Sequence, residues 1–329
     1  MNKIRNLIEK LFAPQFIFLW ILLLLVIFFA VKSPTFRKAE NLLEIIRASV
    51  INAILVMGLT WIVASGEIDV TFPDIAALSS MITALCITNG LPWWLSIVIA
   101  MGICSLYGLT SSFLINVFKF QSLIATIGIA VLAKSTAYII GKGGPIYLTR
   151  IDKTVQFIVF GKFAGFIPVL MVIVLLIYLA ASFLQNQTKL GQYLYALGEN
   201  RVVVREAGIP EKKIIYSFFL LSAVFASLGG IVLLASFTSG QPNLAGSYFV
   251  DGLTAVFLGA LVIKSGKPNV IGTLIGAIFI MVLGNGSTLL NIPFYYGVII
   301  KGVLMVISVY VIAITKRKVS IKRGKVQVK

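Results

Sequence analysis

Long apolar runs separated by short polar stretches make up most of this chain. Ten such runs can be distinguished, at residues 15–31, 48–64, 72–88, 93–117, 122–140, 166–184, 214–236, 249–263, 268–290 and 294–315. A helix needs roughly 20 apolar residues to cross a bilayer, and most of these runs approach that length. The pattern predicts an all-α polytopic membrane protein with about ten transmembrane helices in one domain over residues 15–315.

Composition agrees with a membrane protein and argues against a soluble one. Hydrophobic residues make up 59% of the chain and charged residues 12%, with a mean hydropathy of +1.02. A soluble domain is about 45–50% apolar and carries about twice as much charge. The chain has no histidine, which excludes His-based acid–base catalysis and the common His metal sites. Cys86 and Cys104 both lie in apolar runs, so neither a disulfide, a metal nor a cofactor is expected.

The net charge of +17 follows the membrane topology and does not indicate a nucleic-acid partner. Excess Lys and Arg normally mark the cytoplasmic side. With ten crossings and the N-terminus inside, eighteen Lys and Arg fall on the cytoplasmic side, eight outside, and two, Lys134 and Lys301, within the runs. Both termini are therefore predicted to be cytoplasmic. The N-terminal segment 1–14, the basic tail 316–329 and the long loop 185–213 lie on that side.

Small residues recur at four-residue spacing on three of the runs. Such stripes let helix backbones approach closely in lipid. Tight packing inside one bundle is the expected role, and a homodimer seam is the alternative for one of them. The three stripes are Ser222, Ala226 and Gly230; Cys104, Gly108 and Ser112; and Gly272 with Gly276.

Two short apolar runs hint at an internal repeat. The third and eighth runs are short, and each begins near an acid, Asp74 or Asp251. Ten crossings place these acids at opposite ends of the bundle, as an inverted repeat would. Paired short segments in two halves are typical of a transport pathway, although chance explains one matched pair of acids equally well.

One internal segment, GQYLYALGENRVVVREAGIPEKK at 191–213, is polar where its surroundings are apolar. Asn200 can cap a short helix over residues 200–207. Gly208 suits the left-handed position after its end. Pro210 can occupy the first position of the next helix. The segment therefore predicts a short helix held across the cytoplasmic face by tight turns.

The predicted helix has two different sides. Val202, Val203 and Ala207 leave one side apolar, whereas Arg201 and Arg205 form a basic pair one turn apart on another. An exposed basic face followed by a rigid Gly-Ile-Pro exit is what a helix pushed by a partner protein needs. A helix that only caps the bundle is the alternative.

The segment LGENRVVVREAGIPEKK and three others resemble the bacterial ATP-binding cassette (ABC) importer permeases for simple sugars. That group includes ribose, galactose, xylose, arabinose and autoinducer-2 permeases. The family's coupling pattern, A-x-G-x-N-x-x-A-A-x-x-x-G-I, is matched at Ala196, Gly198, Asn200, Gly208 and Ile209. The other matches are GEIDVTFPDIAALSSM (66–81), FQSLIATIGIAVLAKSTAYIIGKGGPIY (120–147) and SGQPNLAGSYFVDGLTAVFLGALVIKSGKPNVIGTLIGA (239–277). The four motifs are colinear and cover most of the chain past residue 40.

Three places depart from the family pattern. Glu67 stands where the family usually has Gly, and Phe72-Pro73 replaces the usual Val-Gly. The basic residues 264–267 replace a Gly-rich turn. These departures leave the expected fold unchanged but leave the transported sugar open.

The resemblance implies an inverted-repeat, type II-like permease fold in the bacterial cytoplasmic (inner) membrane. It implies separate ABC ATPase subunits, a second permease copy in a homodimer or paralogous heterodimer, and an extracytoplasmic sugar-binding protein. It also implies a non-catalytic subunit, and the chain contains no GxxxxGK[ST] motif. The residues to which it gives the ATPase-coupling role are Glu199, Asn200, Arg201, Arg205, Glu206, Gly208, Ile209 and Pro210.

Polar residues in or beside the apolar runs are candidates for the translocation pathway, because ionisable groups in a membrane are costly and often functional. The candidates are Asp69, Asp74, Asn116, Thr126, Asp251, Asn285 and Lys301. Lys134 and Lys301 lie about 10 Å from the outer ends of their runs. Snorkelling to the outer membrane surface and pairing of one of them with Asp251 both remain open.

The favoured function is the permease subunit of an ABC importer for a simple sugar, with a ribose-like pentose first. A permease for autoinducer-2, another monosaccharide or a nucleoside is the alternative within this class. An ion-driven carrier that works alone is the alternative mechanism, and the capped cytoplasmic helix argues against it. An intramembrane aspartyl enzyme would need two acids meeting at mid-membrane, whereas the three candidate Asp residues lie near run ends.

Overall fold

The computed structural model describes residues 14–263 and 266–326, and helices dominate both parts. The helices are α1 (Pro14–Lys32), α2 (Ala39–Ala64), α3 (Phe72–Thr88), α4 (Trp93–Asn116), α5 (Ser122–Ile140), α6 (Lys153–Phe160), α7 (Val169–Gln187), α8 (Lys189–Glu199), α9 (Arg201–Glu206), α10 (Glu211–Phe237), α11 (Tyr248–Gly259), α12 (Val270–Leu289) and α13 (Phe294–Val326), with a 3-10 turn at Pro34–Arg37. Four two-residue strands are β1 (Ile146–Tyr147), β2 (Lys162–Phe163), β3 (Ile167–Pro168) and β4 (Ser239–Gly240).

Each of the ten apolar runs forms a helix, which confirms the predicted all-α class. Among the described residues, seven helices are long and apolar enough to cross a membrane: α2, α4, α5, α7, α10, α12 and the Phe294–Thr315 part of α13. The helices α1, α3 and α11 are apolar but shorter. The chain is thus a multi-pass helical protein, and ten crossings stay a prediction.

Three segments defined from the sequence fall partly outside the described residues, the third being the tail at residues 327–329. The N-terminal segment 1–14 does so except for Pro14, and residues 264 and 265 of the basic turn do so as well. The last apolar run continues as helix into the predicted tail, because α13 ends at Val326.

The chain divides into two compact units, one of residues 50–252 and one of residues 1–49 with 253–329. Within the first unit, α10 is the central helix and packs against α3 and α4. A Cβ added to Gly230 of α10 would lie 2.0 Å from the carbonyl oxygen of Ala76 in α3. A Cβ on Gly108 of α4 would lie 2.6 Å from the carbonyl oxygen of Phe219 in α10. The small-residue stripes on α4 and α10 therefore serve packing inside this unit, as predicted.

The second unit uses the same device between α11 and α12. A Cβ on Gly272 would lie 2.1 Å from the carbonyl oxygen of Gly259, and one on Gly276 would lie 2.1 Å from that of Ala255. Asn269 caps α12, since its side chain accepts a hydrogen bond from the N–H of Gly272 at 2.7 Å. The packing role predicted for the stripe on α12 is confirmed.

Different helix ends, loops and strands lie at the two ends of the first unit. At one end α2 stops beside α8, where a Cβ on Gly198 would lie 2.2 Å from the carbonyl oxygen of Ala64. The N–H of Ile68 donates to Ser122 Oγ at the same end, at 3.1 Å, so α3 and α5 both start there. The opposite end holds the loops after α3 and α5. There β1 pairs antiparallel with β4, and β2 with β3.

Candidate functional site

Helix α9 is capped at its start as the sequence predicts. Asn200 adopts an extended backbone conformation between α8 and α9. Its side-chain oxygen accepts hydrogen bonds from the N–H groups of Val202 at 2.9 Å and Val203 at 3.3 Å. This cap satisfies two of the donors that a helix start leaves free, so a helix of only six residues is held in place.

The end of α9 is a Schellman turn. Gly208 has φ +70°, a left-handed conformation that glycine adopts without strain. The N–H of Gly208 donates to the Arg205 carbonyl at 3.0 Å, and the N–H of Ile209 to the Val204 carbonyl at 3.2 Å. Pro210 lies one position before α10 begins, not at the first helical position as predicted. The chain therefore passes from α9 into α10 through a short rigid turn.

The two arginines of α9 are partly or largely exposed, and each also faces an acid, which the sequence did not predict. Arg201 donates a hydrogen bond to the carboxylate of Glu67, and the two side chains are 37% and 7% exposed. Arg205 Nη2 lies 3.3 Å from Glu211 Oε2, and Arg201 Nε lies 3.9 Å from Glu211 Oε1. A nearly buried carboxylate needs a cation beside it, so Arg201 turns inward while Arg205 stays exposed.

The exposed surface of α9 includes two valines as well as the charged residues Arg205 and Glu206. Val202 is 61% exposed and Val203 56%, whereas Val204 is 2% exposed and packs inward. The sequence predicted an apolar side, but it did not show that this side faces outward. A surface that binds another protein at α9 therefore presents two adjacent valines, with Arg205 beside them.

The connector between α2 and α3, residues 65–71, is bonded to α10. Asp69 is 1% exposed, and its carboxylate accepts from the Thr71 N–H at 2.8 Å and the Thr71 hydroxyl at 2.6 Å. It also accepts from the Ser222 hydroxyl of α10 at 2.8 Å. Burial raises the pKa of Asp69, and these three donors oppose that shift.

These contacts join four pieces of chain into one structure, which we call the α9 junction. It comprises the connector 65–71, the end of α8, α9 and the first turns of α10. Gly198 packs on the last turn of α2, Arg201 holds Glu67, and Ser222 holds Asp69. Helix α9 is therefore in direct contact with the connector that precedes α3 and with the first turn of α10.

A cavity of about 360 Å³ lies beside the α9 junction. Its lining includes the charged residues Glu67, Arg201 and Glu211 and the amides Asn116 and Gln121. The cavity places the end of α4 and the start of α5 next to α9.

Two pathway candidates of the first unit, Asn116 and Thr126, lie towards the end that carries α9. Asn116 is buried at the end of α4, with its side-chain nitrogen 3.5 Å from the Lys212 carbonyl oxygen. Thr126 donates to the Ser122 carbonyl of its own helix at 2.8 Å.

Further along the first unit, Lys134 of α5 interacts electrostatically with Asp74 of α3. The sequence did not indicate this proximity, because nothing in the apolar pattern shows which runs are neighbours.

Of the remaining candidates, Asn285 and Lys301 belong to the second unit and Asp251 to the first. Asn285 of α12 and Asn41 of α2 exchange two hydrogen bonds, at 3.1 and 2.9 Å. Lys301 of α13 points at α12, where a Cβ on Gly284 would lie 3.9 Å from its Nζ. Asp251 lies in the first turn of α11 and is 9% exposed. The assignment of these residues to a pathway stays a prediction.

Comparison with known proteins identifies relatives over most of the chain. A family model described as "Branched-chain amino acid transport system / permease component" matches residues 41–309. The ribose import permease protein RbsC of Escherichia coli (strain K12) is 30% identical over 292 residues, 88% of this chain and 91% of that protein. RbsC of Haemophilus influenzae is 31% identical over 289 residues, 88% of this chain and 90% of that protein.

A more distant relative is the galactofuranose transporter permease protein YtfT of E. coli K12, 26% identical over 83% of this chain and 79% of that protein. No solved structure matches significantly.

Proposed function

Because this chain belongs to the ABC importer permease family described as the branched-chain amino acid transport system permease component, a family of non-catalytic membrane subunits, we propose that it forms the translocation pathway of an importer for a simple sugar. Support for a sugar comes from relatives named as ribose import permeases and a galactofuranose permease. A ribose-like pentose is the favoured cargo, and autoinducer-2, another monosaccharide or a nucleoside is the alternative.

The proposal includes coupling to separate ATPase subunits through α9. The observation that supports it best is the construction of α9, which is capped at both ends and tied inward through Arg201 and Glu67. Its outer face offers Val202 and Val203 to a partner. ATP-driven movement of that partner would push α9, and the α9 junction would carry the push to α3 and α10.

The proposed assembly contains a second permease copy, as a homodimer or a paralogous heterodimer, and an extracytoplasmic sugar-binding protein. It sits in the bacterial cytoplasmic (inner) membrane with both termini and α9 on the cytoplasmic side. The positive excess on that side supports this orientation. The loop after α5, with GKGGPIY at 141–147, lies at the opposite end of the first unit and would face the binding protein.

Transport by reconstituted vesicles tests the proposal. The permease is placed in proteoliposomes with a candidate ATPase and sugar-binding protein from the same organism, and uptake of radiolabelled ribose is measured. Uptake should require ATP and the binding protein together. Uptake by this chain alone in ATP-free vesicles under a proton or sodium gradient would show an ion-coupled secondary carrier instead.

The cargo is tested separately from the mechanism. Titrating the binding protein with ribose, other monosaccharides, autoinducer-2 and nucleosides ranks the candidates, because tight affinity belongs to that protein. Ribose should bind best. ATP-dependent uptake of another of these solutes, without uptake of ribose, would support the ATP-driven importer but contradict the proposed pentose cargo.

A further inference from the structure

A large groove opens at the end of the first unit that lies away from α9. It has a volume of about 1190 Å³ and runs between the α3–α4 turn and the segment 147–158. Trp94 and Ile97 of α4 and Ile158 of α6 give it apolar walls. Arg150 and Lys153, both exposed, also line it, and we call these two side chains its basic rim. Apolar walls below a basic rim are the complement of an amphipathic anion.

The groove is continuous with an apolar surface that runs down α4. Trp94 is 67% exposed, and Val98 and Leu106, one and three turns further along, are each 60% exposed. Exposed apolar side chains on a long apolar helix face lipid, and Trp at a helix end is typical of the membrane–water boundary. The groove therefore opens where the lipid-facing surface of α4 meets the headgroup layer.

The two cations at the rim are available to a ligand. Arg150 and Lys153 are exposed, and neither makes an ion pair within the described part of the chain. The one acid among the lining residues, Asp152, caps α6 by accepting the Thr154 N–H at 2.8 Å. The rim thus carries a net positive charge, with its carboxylate already engaged by a helix start.

The segment next to the groove also presents apolar side chains outward. Phe157 and Phe160 of α6 and Phe163 and Phe166 of the β2–β3 hairpin are all exposed. A short helix with aromatic residues and flanking Lys is typical of segments that lie in the membrane surface. This observation is independent of the groove and places the same loop at the depth of lipid headgroups.

We propose that this groove binds an anionic phospholipid. Arg150 and Lys153 hold its phosphate, Trp94 and Ile97 contact the glycerol and the first acyl carbons, and the chains continue down the exposed side of α4. A monosaccharide would leave most of the groove empty. A docked acidic protein segment would meet the cations but would not use the apolar surface that continues along α4.

Lipid retention tests the site without reference to transport. The intact chain is exchanged into nanodiscs of phosphatidylcholine doped with phosphatidylglycerol, and retained lipid is counted by native mass spectrometry after detergent release. Wild type should retain phosphatidylglycerol in preference to phosphatidylcholine. Arg150→Gln with Lys153→Gln should lower that preference about 30-fold, as expected for the loss of two basic contacts to an anionic surface. Lys142→Gln, an exposed cation of the same loop outside the groove lining, is the matched control and should change nothing.

Two further results decide between ligands. Millimolar inorganic phosphate should not displace phosphatidylglycerol, and displacement would mean a free-phosphate site. Trp94 fluorescence, taken as wild type minus Trp94→Phe, should be quenched more by brominated phosphatidylglycerol than by brominated phosphatidylcholine, and this measurement needs no charge variant to fold. Equal quenching, or a double variant that keeps its phosphatidylglycerol but loses the binding protein, overturns the proposal.

Discussion

At the scale of single residues, the contact between Arg201 and Glu67 joins positions 134 apart in sequence. Glu67 is also one of the places where the chain departs from the family pattern, and its side chain is only 7% exposed. The sequence showed both charges but could not pair them, since their meeting depends on how α8 packs against α2. Glu67, which stands where the family usually has Gly, therefore pairs with Arg201 of the proposed coupling segment.

Exchanging these two charges tests the pair. Glu67→Arg or Arg201→Glu alone places like charges side by side, and each should destabilise the protein by about 1–3 kcal/mol and lower the transport obtained per ATP hydrolysed. The double variant should recover much of both losses. Thermal unfolding in detergent and the uptake-to-hydrolysis ratio in proteoliposomes provide the measurements.

Lys213→Glu, an exposed charge reversal just after α9, is the control for net charge and should have little effect on stability. If the two single effects simply add in the double variant, Arg201 and Glu67 do not act as a pair.

Asp69 gives a prediction about pH. Burial holds its pKa above the ordinary value of 3.8, so the folded protein binds the proton more tightly than the unfolded chain does. The resulting stabilisation is complete below pH 3.8 and is lost as the pH rises through the raised pKa. The melting temperature of wild type minus that of Asp69→Asn should therefore increase on going from pH 7 towards pH 4. A difference that decreases over this range would show that the three hydrogen bonds outweigh burial.

At the scale of helices, the sequence predicted correctly those features that depend only on residues close together in the chain. The apolar runs became helices, and the caps at Asn200 and Gly208 lie where the residue types placed them. The direction of each face of α9 was not predictable, because a six-residue helix has too few positions for an apolar period to identify its buried side. The helix α6 and the β2–β3 hairpin were also missed, since short elements in a mixed loop carry no such period.

The outward valines of α9 are predicted to carry ATPase binding. Full burial of a valine contributes about 1.5–3 kcal/mol, so Val202→Ser with Val203→Ser should weaken binding of the ATPase subunit at least tenfold. Stability should hardly change, because both side chains are exposed in this chain. Co-purification of the ATPase and the melting temperature of the permease alone measure the two effects.

Val204→Ser provides the contrast for that experiment. Val204 is 2% exposed, so this change should destabilise the permease itself. If the Val202/Val203 variant binds the ATPase as tightly as wild type does, the two valines do not contribute to that contact.

At the scale of the molecule, the first unit separates two tasks along its length. One end holds the α9 junction, where Arg201 pairs with Glu67 and two valines of α9 are exposed. The other end holds the basic, aromatic groove and the β1–β4 ladder, which connects the loop after α5 to the segment directly after α10. Because α10 begins at the α9 junction and ends at this ladder, it links the two ends through a single buried helix.

This arrangement predicts that the two ends of the first unit lie on opposite sides of the membrane. Lys142, in the loop after α5, and Lys213, at the start of α10, are both exposed. In a Cys86→Ala background, a membrane-impermeant maleimide should label Lys142→Cys in intact cells. It should label Lys213→Cys only after the membrane is opened, because the positive excess places that end inside. Cys104 can remain, since it is fully buried. Reversed labelling would mean that the predicted orientation is wrong. Labelling of both positions from outside would mean that α7, the membrane-length helix between them, does not cross.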